Sequence, residues 1–120
     1  MNPLVLLIED NEQNIYLMRF LLEKNGFAVV EARDGFEGIE LAKKMKPRLI
    51  LLDIQLPRMD GYAVARALKK SEDVRNIPIV AVTSYAMVGD REKVLEAGAD
   101  GYLEKPIDPD NFVETIKKFL

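Results

Sequence analysis

Residues 49–53 read LILLD, four consecutive large aliphatic side chains closed by an acid. An alternating pattern would turn every second side chain to water, whereas an unbroken apolar run reads as a strand buried on both faces, the mark of a parallel sheet covered by helices. Three further runs share this character: Leu4 to Ile8, Val29 and Val30 with Ala28 beside them, and Ile79 to Val82. Segments with helical spacing and end signals lie between them. The first runs from about Asn11 to Asn25 and stops at Gly26, a residue suited to a left-handed cap. The second follows Asp34-Gly35 and ends before Pro47, the third begins near Gly61 and fades at Ser71, and the fourth runs from about Met87 to Ala97 and stops at Gly98. A weaker strand, Gly101 to Leu103, precedes a last helix that starts at Pro109 and carries Phe112, Val113, Ile116 and Leu120 on one stripe. Five repetitions of strand then helix predict a doubly wound α/β domain. Its units take up residues 1–120 as one domain and leave none for an output domain.

Composition narrows the chemistry. The chain has 120 residues, 48% of them hydrophobic, enough for one core. A net charge of −3 lacks the basic footprint of a nucleic-acid binder, so direct contact with nucleic acid is not expected. Cysteine is absent, which removes disulfides and thiolate chemistry and fits a cytoplasmic location. The apolar run near the N-terminus is too short for a signal segment or a membrane span. Histidine is absent as well, which excludes an imidazole base or metal ligand. Carboxylates, hydroxyls, amides and lysine remain.

In open parallel sheets ligands bind beyond the carboxyl ends of the strands. Glu9 and Asp10 end the first run, Asp53 ends the third, Thr83 ends the fourth, and Lys105 follows the fifth. If the first and third strands are neighbours, these residues converge on one crevice. Three carboxylates crowded together repel one another, and burial raises the cost of their ionisation. One lysine leaves two negative charges, which a bound Mg²⁺ neutralises, and oxygen ligands suit that ion. Phosphoryl transfer fits such a site: Asp53 attacks to form an acyl phosphate, Glu9 and Asp10 hold the metal, Lys105 pairs with the phosphate, and the Thr83 hydroxyl donates to it. Singly, each acid reads as a solvated turn residue, Thr83 as a strand residue and Lys105 as a surface lysine. Together they form a set.

The strings LVLLIEDNEQN, LILLDIQLPRMDGYAVARALK, IPIVAVTSYA and GADGYLEKPI closely resemble the response-regulator receiver domains of two-component signalling, across essentially the whole chain. The resemblance implies a flavodoxin-like sheet of strand order 2-1-3-4-5 with five helices. It makes Asp53 the phosphorylated aspartate and Glu9 and Asp10 the acidic pair at the magnesium, with the Gln55 main-chain carbonyl a further ligand. Thr83 becomes the switch hydroxyl, Tyr102 the switch aromatic and Lys105 the phosphate partner, with a cis peptide between Lys105 and Pro106. The narrower pattern looks like single-domain cell-division regulators of the DivK type and receivers of hybrid kinases. Ser84 departs from the usual alanine after the threonine, and Gln55 and Tyr85 flank the site where other polar residues often sit, which bears on phosphate lifetime.

Without histidine the chain cannot carry the phosphohistidine donor. The phosphoryl group must come from a histidine kinase, a histidine phosphotransferase or a small acyl phosphate, and a downstream protein would read the result. Ile15, Met18 and Leu22 form one stripe of the first helix, and Asn14, Leu17 and Leu21 form a second that, beside Pro106, is expected to receive a histidine-bearing helix. A more widely buried helix accounts equally well for that second stripe. A haloacid-dehalogenase-type phosphatase wants a second acid two residues after its nucleophile, where this chain has Gln55. A flavin module would be repelled by Glu9, Asp10 and Glu12. A receiver-like module that is never phosphorylated usually lacks one of the aspartate, threonine and lysine, and all three are present. Catalysis beyond self-phosphorylation and autodephosphorylation is not expected.

Overall fold

The structure, a computed structural model, describes residues 2–84 and 90–120. Its elements alternate: β1 Leu4–Ile8, α1 Glu12–Lys24, β2 Ala28–Ala32, α2 Gly35–Met45, β3 Leu49–Asp53, α3 Gly61–Lys70, β4 Ile79–Thr83, α4 Asp90–Ala97, β5 Gly101–Glu104 and α5 Phe112–Lys117. The five strands form one sheet in the order β2-β1-β3-β4-β5, parallel throughout. β1 pairs with β3, with Ile8 opposite Leu52, so the condition for a shared crevice is met.

The unbroken apolar runs have a direct cause. Leu6, Ile8, Ile50, Leu52, Ile79 and Ala81 point into a core layer closed by α2, α3 and α4. Val5, Leu7, Leu49, Leu51, Val80 and Val82 point into a second layer closed by α1 and α5. Successive side chains alternate between faces, but neither face meets water, so nothing polar interrupts the three central strands.

Helix ends follow side-chain chemistry. Asn11, Asp34 and Asp60 cap α1, α2 and α3 by accepting the N–H three residues on, from Asn14, Glu37 and Ala63. Gly26 takes φ +90, the left-handed conformation that its position after α1 predicted.

Three boundaries differ from expectation. β2 continues past Val30 through Glu31 to Ala32, because an edge strand has a half-wet face where a glutamate fits, here paired with Arg19. α5 begins at Phe112 rather than Pro109. The Asp108 carboxylate accepts the Asp110 N–H at 3.0 Å and its carbonyl accepts the Phe112 N–H at 3.0 Å, making a turn of residues 108–111. Leu120, expected on the inward stripe, lies beyond the helix and is exposed, while Phe119 packs inward. The expected start of the fourth helix at Met87, and Tyr85, lie outside the described residues. Among the described residues no helix is long and apolar enough to cross a membrane.

Candidate functional site

Glu9, Asp10, Asp53, Thr83 and Lys105 stand at or just beyond the ends of strands, on the sheet's carboxyl edge. Asp53 and Thr83 are the last residues of β3 and β4, and Lys105 directly follows β5. The ladder extends one bond beyond the strands and fixes their exits: Glu9 N–H donates to Ala32 O at 3.0 Å, Ile54 N–H to Val82 O at 3.1 Å, and Lys105 N–H to Thr83 O at 2.7 Å. The Lys105-Pro106 peptide is cis, as the resemblance implied.

The side chains meet. Among the described residues Glu9, Asp53 and Thr83 are the buried polar ones, and Asp53 is only 3% exposed. Lys105 Nζ lies 2.9 Å from Glu9 Oε1 and 3.4 Å from Asp53 Oδ2. Asp53 Oδ1 accepts the Gln55 N–H at 3.0 Å, and Glu9 Oε2 accepts the Asn11 N–H at 3.2 Å. Burial pushes the Asp53 carboxyl up to about 7, reinforced by the Glu9 carboxylate beside it and opposed by the Gln55 N–H and Lys105. Closure behind Asp53 depends on Gly61. A Cβ there would stand 2.5 Å from Ile54 Cα and 2.7 Å from Asp53 O, so only glycine lets α3 start against this backbone.

The acidic cluster fits a cation. Carboxylate oxygens of Glu9, Asp10 and Asp53 lie within 4.8 Å of one another. Glu9 Oε1 is buried with no hydrogen-bond partner, since Lys105 approaches it at ion-pair distance without a hydrogen-bond angle. Three oxygens converging on one point, one of them unsatisfied, is what a hard divalent ion requires.

A cleft of about 570 Å³ opens over these groups, lined by Glu9, Asp10, Asn11, Asn14, Asp53, Gln55, Ser84, Lys105 and Pro106. Asn14 and Pro106 thus border the site. Leu17 and Leu21 do not. Leu21 is 8% exposed and belongs to the core between α1 and α5, and Leu17 packs against the same layer, so the second apolar stripe of α1 is largely inward-facing. Outward on α1 stand Tyr16 and Phe20, which the stripe pattern did not single out. Tyr102 is half-buried on β5, opposite Ala81, and packs against the layer under α4. The Ser84 hydroxyl donates to Gln55 Oε1 at 2.6 Å, joining across the cleft mouth two of the positions where the chain departs from the commoner pattern. No sequence signal reports that contact, because residues 29 positions apart meet only through the β3-β4 pairing.

Fold and site together define a class, and the match to the response regulator receiver domain over residues 5–117 places the chain in it. The protein belongs to the response-regulator receiver domains, the phosphorylatable modules of two-component signalling. It is 44% identical over 120 residues to the polar-differentiation response regulator DivK of Brucella ovis and to that of Brucella melitensis, covering 100% of this chain and 98% of each relative. Its backbone matches the receiver domain of the sensor histidine kinase PA1611 of Pseudomonas aeruginosa, solved with a magnesium ion coordinated in the active site cleft. The TM-score is 0.92 at 33% identity, over 99% of this chain and 98% of that one. Chemotaxis response regulator CheY4 of Vibrio cholerae matches at TM-score 0.94 and 25% identity over the full length of both.

Proposed function

We propose that Asp53 is the phosphoacceptor of a single-domain response regulator, which receives its phosphoryl group from a partner's phosphohistidine and changes protein contacts in consequence. The observation that carries this reading is Asp53 itself, a buried carboxylate held at one oxygen by the Gln55 N–H and approached at the other by Lys105. A carboxylate is kept in so costly a setting where its nucleophilicity is used.

An Asp53 oxygen attacks phosphorus, and the bond to the donor imidazole breaks with its electron pair returning to that nitrogen. Glu9, Asp10, Asp53 and the Gln55 main-chain carbonyl are the residues that would hold magnesium. When bound, the ion offsets negative charge on the phosphoryl oxygens. Lys105 turns from the carboxylates to the phosphoryl group, and the Thr83 hydroxyl donates to it. Thr83 drawn toward the phosphoryl group favours an inward Tyr102, a population shift read on the surface of α4, β5 and α5.

The donor is a histidine kinase or a histidine phosphotransferase, and the setting is cytoplasmic. Asn14 and Pro106, on the rim of the cleft, would border a donor helix, with Leu17 one turn further along α1. Transfer from the cognate donor should fall with Leu17→Asp while labelling by acetyl phosphate persists.

The deciding experiment incubates the protein with Mg²⁺ and acetyl phosphate and reads intact mass. A labile phosphoryl adduct that is lost in Asp53→Asn is expected. No adduct from acetyl phosphate or from any phosphohistidine donor overturns the proposal.

A further inference from the structure

The loop that leaves Asp53 is held from outside by a side chain with no part in the chemistry. Arg58, near its tip, has φ +67, in the left-handed region that a residue with a Cβ disfavours. Its guanidinium pairs with the Asp34 carboxylate and lies 5.9 Å from the centroid of the Phe36 ring. Asp34 is itself fixed, because its other oxygen caps α2 by accepting the Glu37 N–H at 2.9 Å. The near end of the loop carries Gln55, whose N–H holds Asp53 Oδ1, and the far end closes on Asp53 at Gly61.

An exposed ion pair is weak alone, and so is an exposed cation–π contact. A left-handed arginine is disfavoured by a similar amount. Opposed effects of comparable size make the loop's shape conditional on the pair. We propose that Arg58 is a positioning residue: by pairing with Asp34 and covering Phe36 it holds the 54–60 loop in the turn that presents Asp53 and the Gln55 backbone to metal and phosphoryl group. The inference rests on the function proposed above and adds a residue that reaches the site through α2.

The test uses the full chain as the parent and as Arg58→Ala, Arg58→Gly and Asp34→Asn. Mg²⁺ affinity is measured by titration calorimetry, and thermal melts in EDTA run beside it. Arg58→Ala keeps the steric cost of the turn and loses both contacts that hold it, so Mg²⁺ binding should weaken about fivefold. Arg58→Gly takes the same turn at no steric cost and should lose less. Asp34→Asn still caps α2 but drops the charge, and should fall between the parent and Arg58→Ala. Melts in EDTA should be unchanged. Arg58→Ala binding Mg²⁺ within about twofold of the parent overturns the inference, as does Arg58→Gly losing as much as Arg58→Ala, or melts that fall in step with affinity. A parent that binds no Mg²⁺ and forms no acetyl phosphate adduct overturns the underlying function instead.

Discussion

The ammonium of Lys105 lies 2.9 Å from Oε1 of Glu9, a buried oxygen with no hydrogen-bond partner. One cation thus serves two buried carboxylates, since Asp53 is 3.4 Å from the same nitrogen. Removing it strands both. Lys105→Met is expected to destabilise the metal-free protein by about 3 kcal/mol, in the range for breaking a buried pair. Urea unfolding in EDTA measures this, and saturating Mg²⁺ should recover a large part of the loss. Equal stability of variant and parent in EDTA contradicts the account.

Asp53 titrates near 7 in the folded protein against 3.8 for an unperturbed aspartate. Between those values the folded state keeps a proton that the unfolded chain has released, so this group's contribution to stability is present at low pH and lost as pH rises through about 7. Asp53→Asn removes that dependence. At about pH 8 in EDTA the variant should be more stable than the parent by on the order of 2 kcal/mol, with the gap closing toward about pH 4. A variant less stable than the parent at the higher pH rules this out.

The proposed magnesium site needs Glu9, Asp10 and Asp53 to converge, and the unfolded chain offers no such point. A concentration about a hundredfold above the dissociation constant should stabilise the protein by about 2.7 kcal/mol, visible as a raised Tm. Sodium at equal ionic strength should not reproduce the rise. Glu9→Gln should weaken the response at least tenfold in Mg²⁺ concentration, and a Tm indifferent to Mg²⁺ would remove the metal site from the protein.

A methyl group at position 61 would collide with the backbone that leaves β3, at Ile54 Cα and Asp53 O. Neither can yield without moving Asp53. Gly61→Ala should cost about 1–3 kcal/mol in urea unfolding and weaken Mg²⁺ binding as well. Loss of stability with unchanged Mg²⁺ affinity would show that the contact is not coupled to the site.

The chain disclosed the sheet because burial on both faces leaves a direct trace in β1, β3 and β4, whose apolar runs have no polar member. It put Glu9, Asp10, Asp53, Thr83 and Lys105 at one edge because parallel strands all run out toward the same side of the sheet. What stayed hidden depends on distance in space. Leu21 shares a second stripe of α1, and helical spacing says which residues share a face and not how widely α5 covers it. α5 starts later than Pro109 suggests because Asp108 bonds the backbone that follows it, a local competition that a proline signal does not report. The Ser84 to Gln55 and Arg58 to Asp34 contacts join loops that meet only after the sheet has formed.

The unsatisfied oxygen of Glu9 also bears on what selection can see. A population of variants screened only for folding would drift toward neutral side chains at positions 9 and 53, because each such change relieves repulsion in the resting protein. Such a screen would discard the signalling capacity first and leave the rest of the molecule intact. Acids at both positions therefore answer to a use that folding alone would not favour.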